Sequence, residues 1–243
     1  MARIAYDERA AAAFAATRHL DEGDIARWQA AVGRHLRPRP GLRLLDLGAG
    51  TGTWSIAFRD WYDAQVVAVE PSPAMRARAV CPGVVAARAE ALPFAAGSLD
   101  GAWLSTVIHH LPDLPVVADG LRRVLRPGAP VLVRSVFAGR GDGISLFRWF
   151  PEAARVLDSY PSVTRVRAAF AAAGFPTASL ERVSQVSAAR LAEAAAGLRR
   201  EAHTPLMLLD DDAFARGLDR LRRAAARTPD APVVDRMDLL VLR

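Results

Sequence analysis

The sequence of 243 residues has one cysteine, Cys81, so it cannot form an internal disulfide. This fits a reducing compartment, and we expect a cytoplasmic protein in which Cys81 is a buried, non-catalytic thiol. No apolar run approaches the roughly 18 residues of a membrane span. The alanine-rich stretch 10–16 follows Asp7 and Glu8 and has no clear cleavage site, which predicts a helix rather than a signal peptide. We therefore expect no membrane partner.

Lysine is absent, so all 32 Lys-or-Arg positions are arginine. The formal net charge of +6 and the pI near 10.7 are compatible with nucleic-acid binding. However, exclusive use of arginine indicates codons of high GC content more than selection for phosphate contacts. Between Arg190 and Arg227, eight arginines are offset by six acidic residues, as on a solvated helical surface. We therefore expect no nucleic-acid partner.

Three glycines at alternate positions, Gly48, Gly50 and Gly52, follow a nearly continuous apolar stretch that begins at Leu42. Such a stretch is typical of a parallel strand buried on both faces. Helical spacing resumes at Trp54, so the glycines lie at a helix N-terminus, where unpaired N–H groups and the helix dipole favour an anionic ligand. We expect glycine here because a Cβ atom would hold the ligand away from the backbone.

A carboxylate, Glu70, ends the next apolar run, 66–69, and so lies at the C-terminal tip of the second strand. There it can accept both hydrogen bonds of a ribose diol. The glycine spacing departs from the dinucleotide fingerprint, because Thr53 occupies the place of its third glycine, which comes one residue early.

Strands and helices alternate along the chain, which predicts an α/β fold with a doubly wound sheet and ligands at the C-terminal strand ends. Two helices, over 6–17 and from Ile25 to Leu36, precede the first strand. Further helices are expected over 71–80, after the N-cap Asp113 and after the N-cap Ser162. Strands are expected at 42–47, 66–69, 84–87, 99–106, 131–137, within 178–186 and at 237–242.

Four segments in order resemble the class I S-adenosylmethionine-dependent methyltransferases, of a small-molecule, type 11-like kind. They are LLDLGAGTGTW with Glu70, then AEALPF (89–94), GSLDGAWLSTVIHHLPD (97–113) and GLRRVLRPGAPVLVRS (120–135). The resemblance covers roughly 6–174, and the closing MDLLVLR is similar to the family's last strand. It implies a Rossmann-like, seven-stranded, mostly parallel sheet with an antiparallel final strand, and S-adenosyl-L-methionine as the cofactor.

We expect a single methyltransferase domain over 1–243 with two segments that are extra to its core. One follows the glycine-rich GRGDG hinge and contains Phe147, Trp149 and Phe150, so it can fold over the strand ends as a lid, or its aromatics can pack the core. The other is helical, interrupted around Thr204-Pro205, and in the resembling family such insertions line the acceptor pocket. The predicted parts are an N-terminal helical cap (1–40), a cofactor-binding core (41–138), the lid (139–160), further core (161–186), the helical insertion (187–228) and the last strand (229–243).

The amino-acid end of S-adenosylmethionine requires an anion site and a cation site. Backbone N–H groups of the glycine turn suit its carboxylate, and Asp46 suits its ammonium group. The resemblance places Tyr6 and Arg18 over the same end.

The nucleoside end requires Glu70 for the ribose and apolar side chains, Met75 and Leu92, around the adenine. Related sequences often have an Asp where this chain has Arg88, which leaves Glu90 or backbone carbonyls to accept from the adenine amino group. The complete set of expected cofactor contacts is Tyr6, Arg18, Asp46, Gly48, Ala49, Gly50, Thr53, Glu70, Pro71, Met75, Ala89, Glu90 and Ser105.

Two adjacent histidines, His109 and His110, lie just past the fourth strand, near the expected methyl group. A neutral imidazole can deprotonate a hydroxyl or amine acceptor, or both rings can simply orient the loop. Arg134-Ser135-Val136 replaces the carboxylate that some small-molecule members have after the fifth strand. His203, in the insertion, is a weaker candidate. No further ligand lies at zinc-like spacing, so we expect no metal.

The sequence therefore predicts a monomeric or dimeric methyltransferase that transfers a methyl group to an O, N or C atom of a small, partly apolar molecule. Three alternatives stay open: a protein of this fold that binds the cofactor and catalyses a non-methylating reaction, a regulatory subunit with a degenerate site, and a nucleic-acid methyltransferase. The last is disfavoured because LSTVIHH stands in place of the Asn/Asp-Pro-Pro-aromatic signature of amino-group DNA methylation.

Overall fold

The structure, a computed structural model, describes residues 7–17 and 22–243. Two helices, α1 (Glu8–Thr17) and α2 (Glu22–Leu36), precede the sheet as predicted. The strands are β1 (Arg43–Leu47), β2 (Gln65–Val69), β3 (Gly101–Ser105), β4 (Val131–Ser135), β5 (Thr177–Ala188) and β6 (Val233–Leu242). The further α-helices are α3 (Thr53–Tyr62), α4 (Pro73–Arg76), α5 (Leu114–Val124), α6 (Leu146–Trp149), α7 (Pro151–Ala154), α8 (Val163–Ala172), α9 (Leu191–Gly197), α10 (Thr204–Met207) and α11 (Asp211–Arg227).

The strands form one mixed sheet in the order β2-β1-β3-β4-β6-β5. The first four strands in this order are parallel to one another, and β6 runs antiparallel to both β4 and β5. The chain therefore reverses its direction of winding between β1 and β3. In an open α/β sheet, ligands bind beyond the carboxyl ends of the strands at such a switch point.

The expected seven-stranded, mostly parallel sheet is corrected to six strands in the described part of the chain, because 84–87 does not form a strand. Val85 makes one parallel bridge to Val69 at the sheet edge. The chain enters this bridge from Gly83, at φ +74°, and leaves it at once, since the Ala87 N–H donates to the Val85 carbonyl at 3.1 Å. Because the chain turns on both sides of Val85, it forms one bridge with β2 and does not continue as a strand.

The helix expected over 71–80 is also shorter than predicted, and α4 comprises only the four residues Pro73–Arg76. Ser72 caps it by accepting from the Met75 N–H at 3.3 Å. The chain then returns to the glycine turn, where the Val80 N–H donates to the Thr51 carbonyl at 2.8 Å. This return takes the residues between α4 and Val80 away from a helical path.

Helices cover both faces of the sheet, so β1, β3 and β4 are buried. One face packs against α5 and α8, whose predicted N-caps Asp113 and Ser162 accept from backbone N–H groups at 3.2 and 3.1 Å. The other face packs against α2 and α3 through an aromatic cluster that includes Trp28, Phe58 and Trp103. Among the described residues, no helix is both long enough and apolar enough to cross a bilayer.

The segment 139–160 and the insertion 187–228 pack on each other and form a third hydrophobic cluster. Phe150 is fully buried there against Leu191, Leu206 and Leu221. The break in the insertion falls on both sides of the one-turn helix α10 that begins at Thr204. The structure thus gives Phe150 a packing role, as the alternative interpretation of the aromatics expected.

Candidate functional site

The turn after β1 holds three glycines in the left-handed region, with φ of +71° at Gly48, +58° at Gly50 and +81° at Gly52. A Cβ atom at Gly48 would lie within 3.0 Å of the Val107 side chain, and one at Gly52 within 3.0 Å of the Cys81 sulfur. The need for glycine therefore comes from the backbone conformation and from these neighbours, in addition to any ligand. Cys81 is buried against the turn, as a structural thiol.

The N–H groups of this turn bond within the protein, which corrects the expectation that they are unpaired. The Gly48 and Ala49 N–H groups both donate to the Val69 carbonyl, at 2.8 and 2.9 Å. The reason is that the register of β1 with β2 continues into the turn. An anion is better served by the first turn of α3, from Thr53, whose N–H groups have no carbonyl one turn earlier in the helix.

Glu70 lies at the tip of β2, where both of its carboxylate oxygens are held by the backbone. Oε2 accepts from the Gly50 N–H at 2.9 Å and Oε1 from the Ser72 N–H at 2.8 Å. Burial raises the pKa of Glu70, while the two N–H bonds and the charge of Arg76 oppose that rise. A carboxylate offers about four lone-pair positions, so this one can accept two further hydrogen bonds.

Asp46 lies one residue before the end of β1, and its carboxylate is buried. The Ser55 hydroxyl of α3 donates to Asp46 Oδ2 at 2.6 Å. Burial raises the pKa of Asp46 to about 7, and the charge of Glu70 raises it further, while the Ser55 bond lowers it. Sequence reasoning missed Ser55, although its position in the first turn of α3 is a signal, because that turn packs over β1.

The neighbouring tips of β3 and β4 are joined by a buried arginine. Arg134 Nη1 donates to the Ser105 hydroxyl at 3.1 Å, and Nη2 donates to Gln185 Oε1 at 2.5 Å. Its guanidinium carbon lies 5.0 Å from the ring centroid of Trp28 and 5.3 Å from that of Trp54. Arg134 thus ties the strand tips to α2 and α3, a role that the sequence did not indicate.

The two histidines lie in a short 3₁₀ turn, Ile108–His110, directly beyond β3, with their ring centroids 4.1 Å apart. Burial lowers the pKa of His110 to about 4, so this imidazole is neutral at physiological pH. The ring of Tyr160 stacks on His109 at 4.1 Å and within 5° of parallel. Sequence reasoning missed Tyr160, which comes from the end of segment 139–160.

Among the predicted residues, a hydrogen bond joins Glu70 to Gly50, and the two histidines lie together beyond β3. Tyr6 and Arg18 lie outside the described residues. Of the remaining predictions, Met75, Ala89 and Leu92 are buried, Leu92 within the core cluster under α5. Glu90 and His203 are partly buried, and Thr53, Pro71 and Arg88 are exposed.

Comparison with known proteins gives a family match over the same elements. A family model described as a methyltransferase domain matches residues 45–133, from β1 into β4. A malonyl-[acyl-carrier protein] O-methyltransferase of Xylella fastidiosa is 33% identical over 149 residues, which are 57% of this chain and 50% of the relative. The chain spans about half the length of the curated relatives it matches.

Two solved structures have the same fold. A Haemonchus contortus phosphoethanolamine N-methyltransferase, in complex with phosphomonomethylethanolamine and S-adenosylhomocysteine, has a TM-score of 0.63 at 18% identity, over 98% of this chain and 57% of that one. The [4+2]-cyclase SpnF has a TM-score of 0.60 at 21% identity, over 89% of this chain and 80% of that one. At these identities the likeness concerns the fold alone.

Proposed function

We propose that this chain, which a methyltransferase family model matches over residues 45–133, transfers a methyl group from S-adenosyl-L-methionine to an oxygen, nitrogen or carbon atom of a small, partly apolar molecule. The observation that carries the proposal is the Glu70 carboxylate. Two backbone N–H groups hold it beside the glycine turn, at the switch point of the sheet, with capacity for two more donors.

The residues at this switch point fit the chemical parts of the cofactor. Glu70 accepts the ribose hydroxyls, Asp46 takes the ammonium group, and the first turn of α3 takes the carboxylate. Met75 and Leu92, which are both buried, are the apolar residues proposed for the adenine side. When bound, the cofactor supplies an electrophilic methyl group on a sulfonium.

The protein's own contribution is alignment of the acceptor and exclusion of water, which can supply much of the rate of an in-line displacement. An oxygen or nitrogen acceptor must also lose a proton, and we assign that proton to His109. Its neighbour His110 is a weak base, because burial lowers its pKa to about 4. Tyr160 stacks on His109 and fixes the plane of its ring.

The test is calorimetric titration with S-adenosylhomocysteine. We expect saturable binding to the wild type, weaker by about 1–3 kcal/mol in Glu70→Ala, because the ribose hydroxyls then lose their acceptors. Glu193→Ala, which removes an exposed carboxylate on α9, is the matched control and should bind as the wild type does. A folded wild type without affinity for the ligand would refute the proposal, and an unchanged dissociation constant in Glu70→Ala would refute the ribose assignment.

A non-methylating reaction on the same cofactor site is the competing possibility, since the SpnF structure of the same fold is that of a cyclase. Product analysis separates the two. Methyl transfer accumulates S-adenosylhomocysteine in proportion to product, whereas a reaction that leaves the methyl group in place does not.

A further inference from the structure

A cavity of about 400 Å³ lies between α1, α9 and α11, and none of the candidate site residues lines it. We call it the arginine cavity, because its walls carry four guanidinium groups, those of Arg9, Arg199, Arg200 and Arg222, and one carboxylate, that of Glu201. Its volume is in the range of small-molecule sites, roughly 300–1,000 Å³. The lining therefore has an excess of positive charge in a space of ligand size.

Two of the four arginines are engaged in holding the fold. Arg9 pairs with Glu201 at 2.7 Å and so joins α1 to the insertion. Arg200 pairs with Asp211 at 2.6 Å, donates to the Leu206 carbonyl and stacks over the ring of Phe214. Their charges are largely balanced within the protein.

The other two, Arg199 and Arg222, take part in none of the ion pairs found among residues 7–17 and 22–243. Arg199 donates to the neutral carbonyls of Ala196 and Leu198, at 3.3 and 3.1 Å, through one nitrogen, Nη1. It follows α9, while Arg222 projects from α11, so the two guanidiniums come from different walls of the cavity. Both arginines are exposed, so each is available to donate a charge-assisted hydrogen bond to an anion that enters the cavity.

The same cavity has an apolar part, formed by Leu198, Phe214 and Leu218. It adjoins a second hollow that shares Ala195, Ala196 and Arg222 with it and is otherwise lined by alanines. Those further alanines are Ala192, Ala225 and Ala226. A ligand that fills this space has an anionic head and an apolar body.

We infer that the arginine cavity binds an anionic amphiphile, a carboxylate or phosphate monoester with an apolar tail, whose head is held by Arg199 and Arg222. The eight arginines of 190–227 look evenly offset by acidic residues along the sequence, but folding brings these two to one cavity. The cavity is one helix away from the cofactor site, because α1, which contributes Arg9, also contacts α4, the helix that follows Glu70.

The test is calorimetric titration with decyl phosphate, decanoate and inorganic phosphate, with each amphiphile kept below its aggregation concentration. The variant Arg199→Gln/Arg222→Gln removes both charges and keeps side chains of similar length. Arg227→Gln, on the same helix and outside the cavity, is the control. S-adenosylhomocysteine affinity, measured on every variant, reports separately on folding and on the proposed cofactor site.

We expect saturable binding of at least one amphiphile to the wild type and to Arg227→Gln, with affinity roughly ten- to one-hundred-fold weaker in the double variant. The difference in affinity between decyl phosphate and decanoate shows whether the cavity prefers a phosphate or a carboxylate head group. Inorganic phosphate should bind much more weakly than decyl phosphate, and equal affinities would overturn the apolar half of the inference. Failure of both amphiphiles to bind, or equal affinity in the double variant, would overturn the whole of it.

Discussion

Two buried carboxylates, Asp46 and Glu70, determine the electrostatics of the candidate site. They lie on neighbouring strands, and the turn between them binds Glu70 through the Gly50 N–H. Burial raises the pKa of each, and the charge of Glu70 adds to the rise at Asp46. A cationic ligand near both would stabilise their charged forms, so its binding and their proton loss favour each other.

The raised pKa of Asp46 predicts a pH dependence of stability. The folded protein keeps the Asp46 proton up to about pH 7, whereas the unfolded chain loses it near the ordinary value of 3.8. Between these values the folded state binds more protons than the unfolded state, so this contribution to the free energy of unfolding falls as pH rises. Asp46→Asn retains an acceptor for Ser55 and removes the titration.

Urea unfolding at about pH 5 and about pH 8 measures this effect. The free energy of unfolding of the wild type should fall by more between the two values than that of Asp46→Asn. The control is Asp119→Asn, on the exposed side of α5, whose free energy of unfolding should change with pH as that of the wild type does. Asp113 is also exposed but is unsuitable as a control, because it caps α5. Equal changes in Asp46→Asn and the wild type would show that Asp46 does not titrate in this range.

The Tyr160–His109 stack predicts that two substitutions of Tyr160 have different effects on kcat. Tyr160→Phe keeps an aromatic ring over the imidazole, so methyl transfer should continue at a similar kcat. Tyr160→Leu removes the stacking partner, and we expect kcat to fall about tenfold or more, with the KM for S-adenosylmethionine little changed. Steady-state kinetics, with an acceptor found by screening small hydroxyl and amine compounds for S-adenosylhomocysteine formation, measures both. Similar losses in the two variants would assign the role to the phenol hydroxyl and contradict ring positioning.

The sequence indicates the positions of the candidate residues whose environment is local and gives no signal for those that depend on distant packing. Asp46 and Glu70 belong to a strand-turn-helix unit with a fixed local geometry, so their positions at strand ends follow from the apolar runs. Tyr160 reaches His109 across about fifty residues of chain, and no spacing encodes that contact. Arg134 shows the same limit, because Gln185 comes from a strand at the far edge of the sheet.

Among the elements, the hinge at the start of segment 139–160 is held more firmly than its glycines indicate. Arg140 makes a two-pronged ion pair with the buried carboxylate of Asp238 on β6, at 2.6 and 2.7 Å. Arg182 of β5 pairs with Asp142 of the hinge, at 2.8 and 2.6 Å. Gly143 fits closely against the Arg236 carbonyl, where a Cβ atom would lie within 3.0 Å. These contacts attach the start of the segment to the sheet.

The ion pair between Arg140 and Asp238 predicts that Arg140→Gln lowers the stability of the protein. Asp238 is only 3% exposed and would keep one cation, Arg182, at 3.7 Å. Because Arg140 is itself partly exposed, we expect the free energy of unfolding to fall by about 1–3 kcal/mol, less than for a fully buried pair. Chemical denaturation measures the change. Arg148→Gln, at an exposed position of α6, is the control and should leave stability nearly unchanged. An equal effect of the two substitutions would argue against a stabilising Arg140–Asp238 ion pair.

Element types were largely predictable, and their lengths were less so. The N-caps Asp113 and Ser162 predicted the starts of α5 and α8 because a cap bond is local. The strand expected at 84–87 and the helix expected over 71–80 were wrong in extent. At 84–87 the turns at Gly83 and Ala87 limit the chain to a single bridge with β2. At 71–80 the hydrogen bond from Val80 to Thr51 takes the chain to the glycine turn.

In the whole molecule, segment 139–160 and the insertion 187–228, separated in sequence by residues 161–186, share one hydrophobic cluster beside the two cores of the sheet. Residues of both segments, such as Phe150 and Leu221, are buried in this one cluster, so each segment covers apolar side chains of the other. The sequence marked both as extra to the core but carried no periodic signal that joins them. The joint cluster implies that a change in α11 propagates to segment 139–160, whose last residue, Tyr160, contacts the histidine turn.

Gly217 of α11 provides the sharpest test of this dependence, because a Cβ atom there would lie within 3.0 Å of the buried Phe150 ring. Gly217→Ala should displace that ring and lower the free energy of unfolding by about 1–3 kcal/mol, despite the better helix propensity of alanine. Gly197→Ala is the matched control, since a Cβ atom there meets nothing within 4 Å. In α9 it should be neutral or stabilising by up to about 1 kcal/mol. Urea unfolding followed by tryptophan fluorescence measures both variants, and a shift of the same sign and size in the two would contradict a shared cluster.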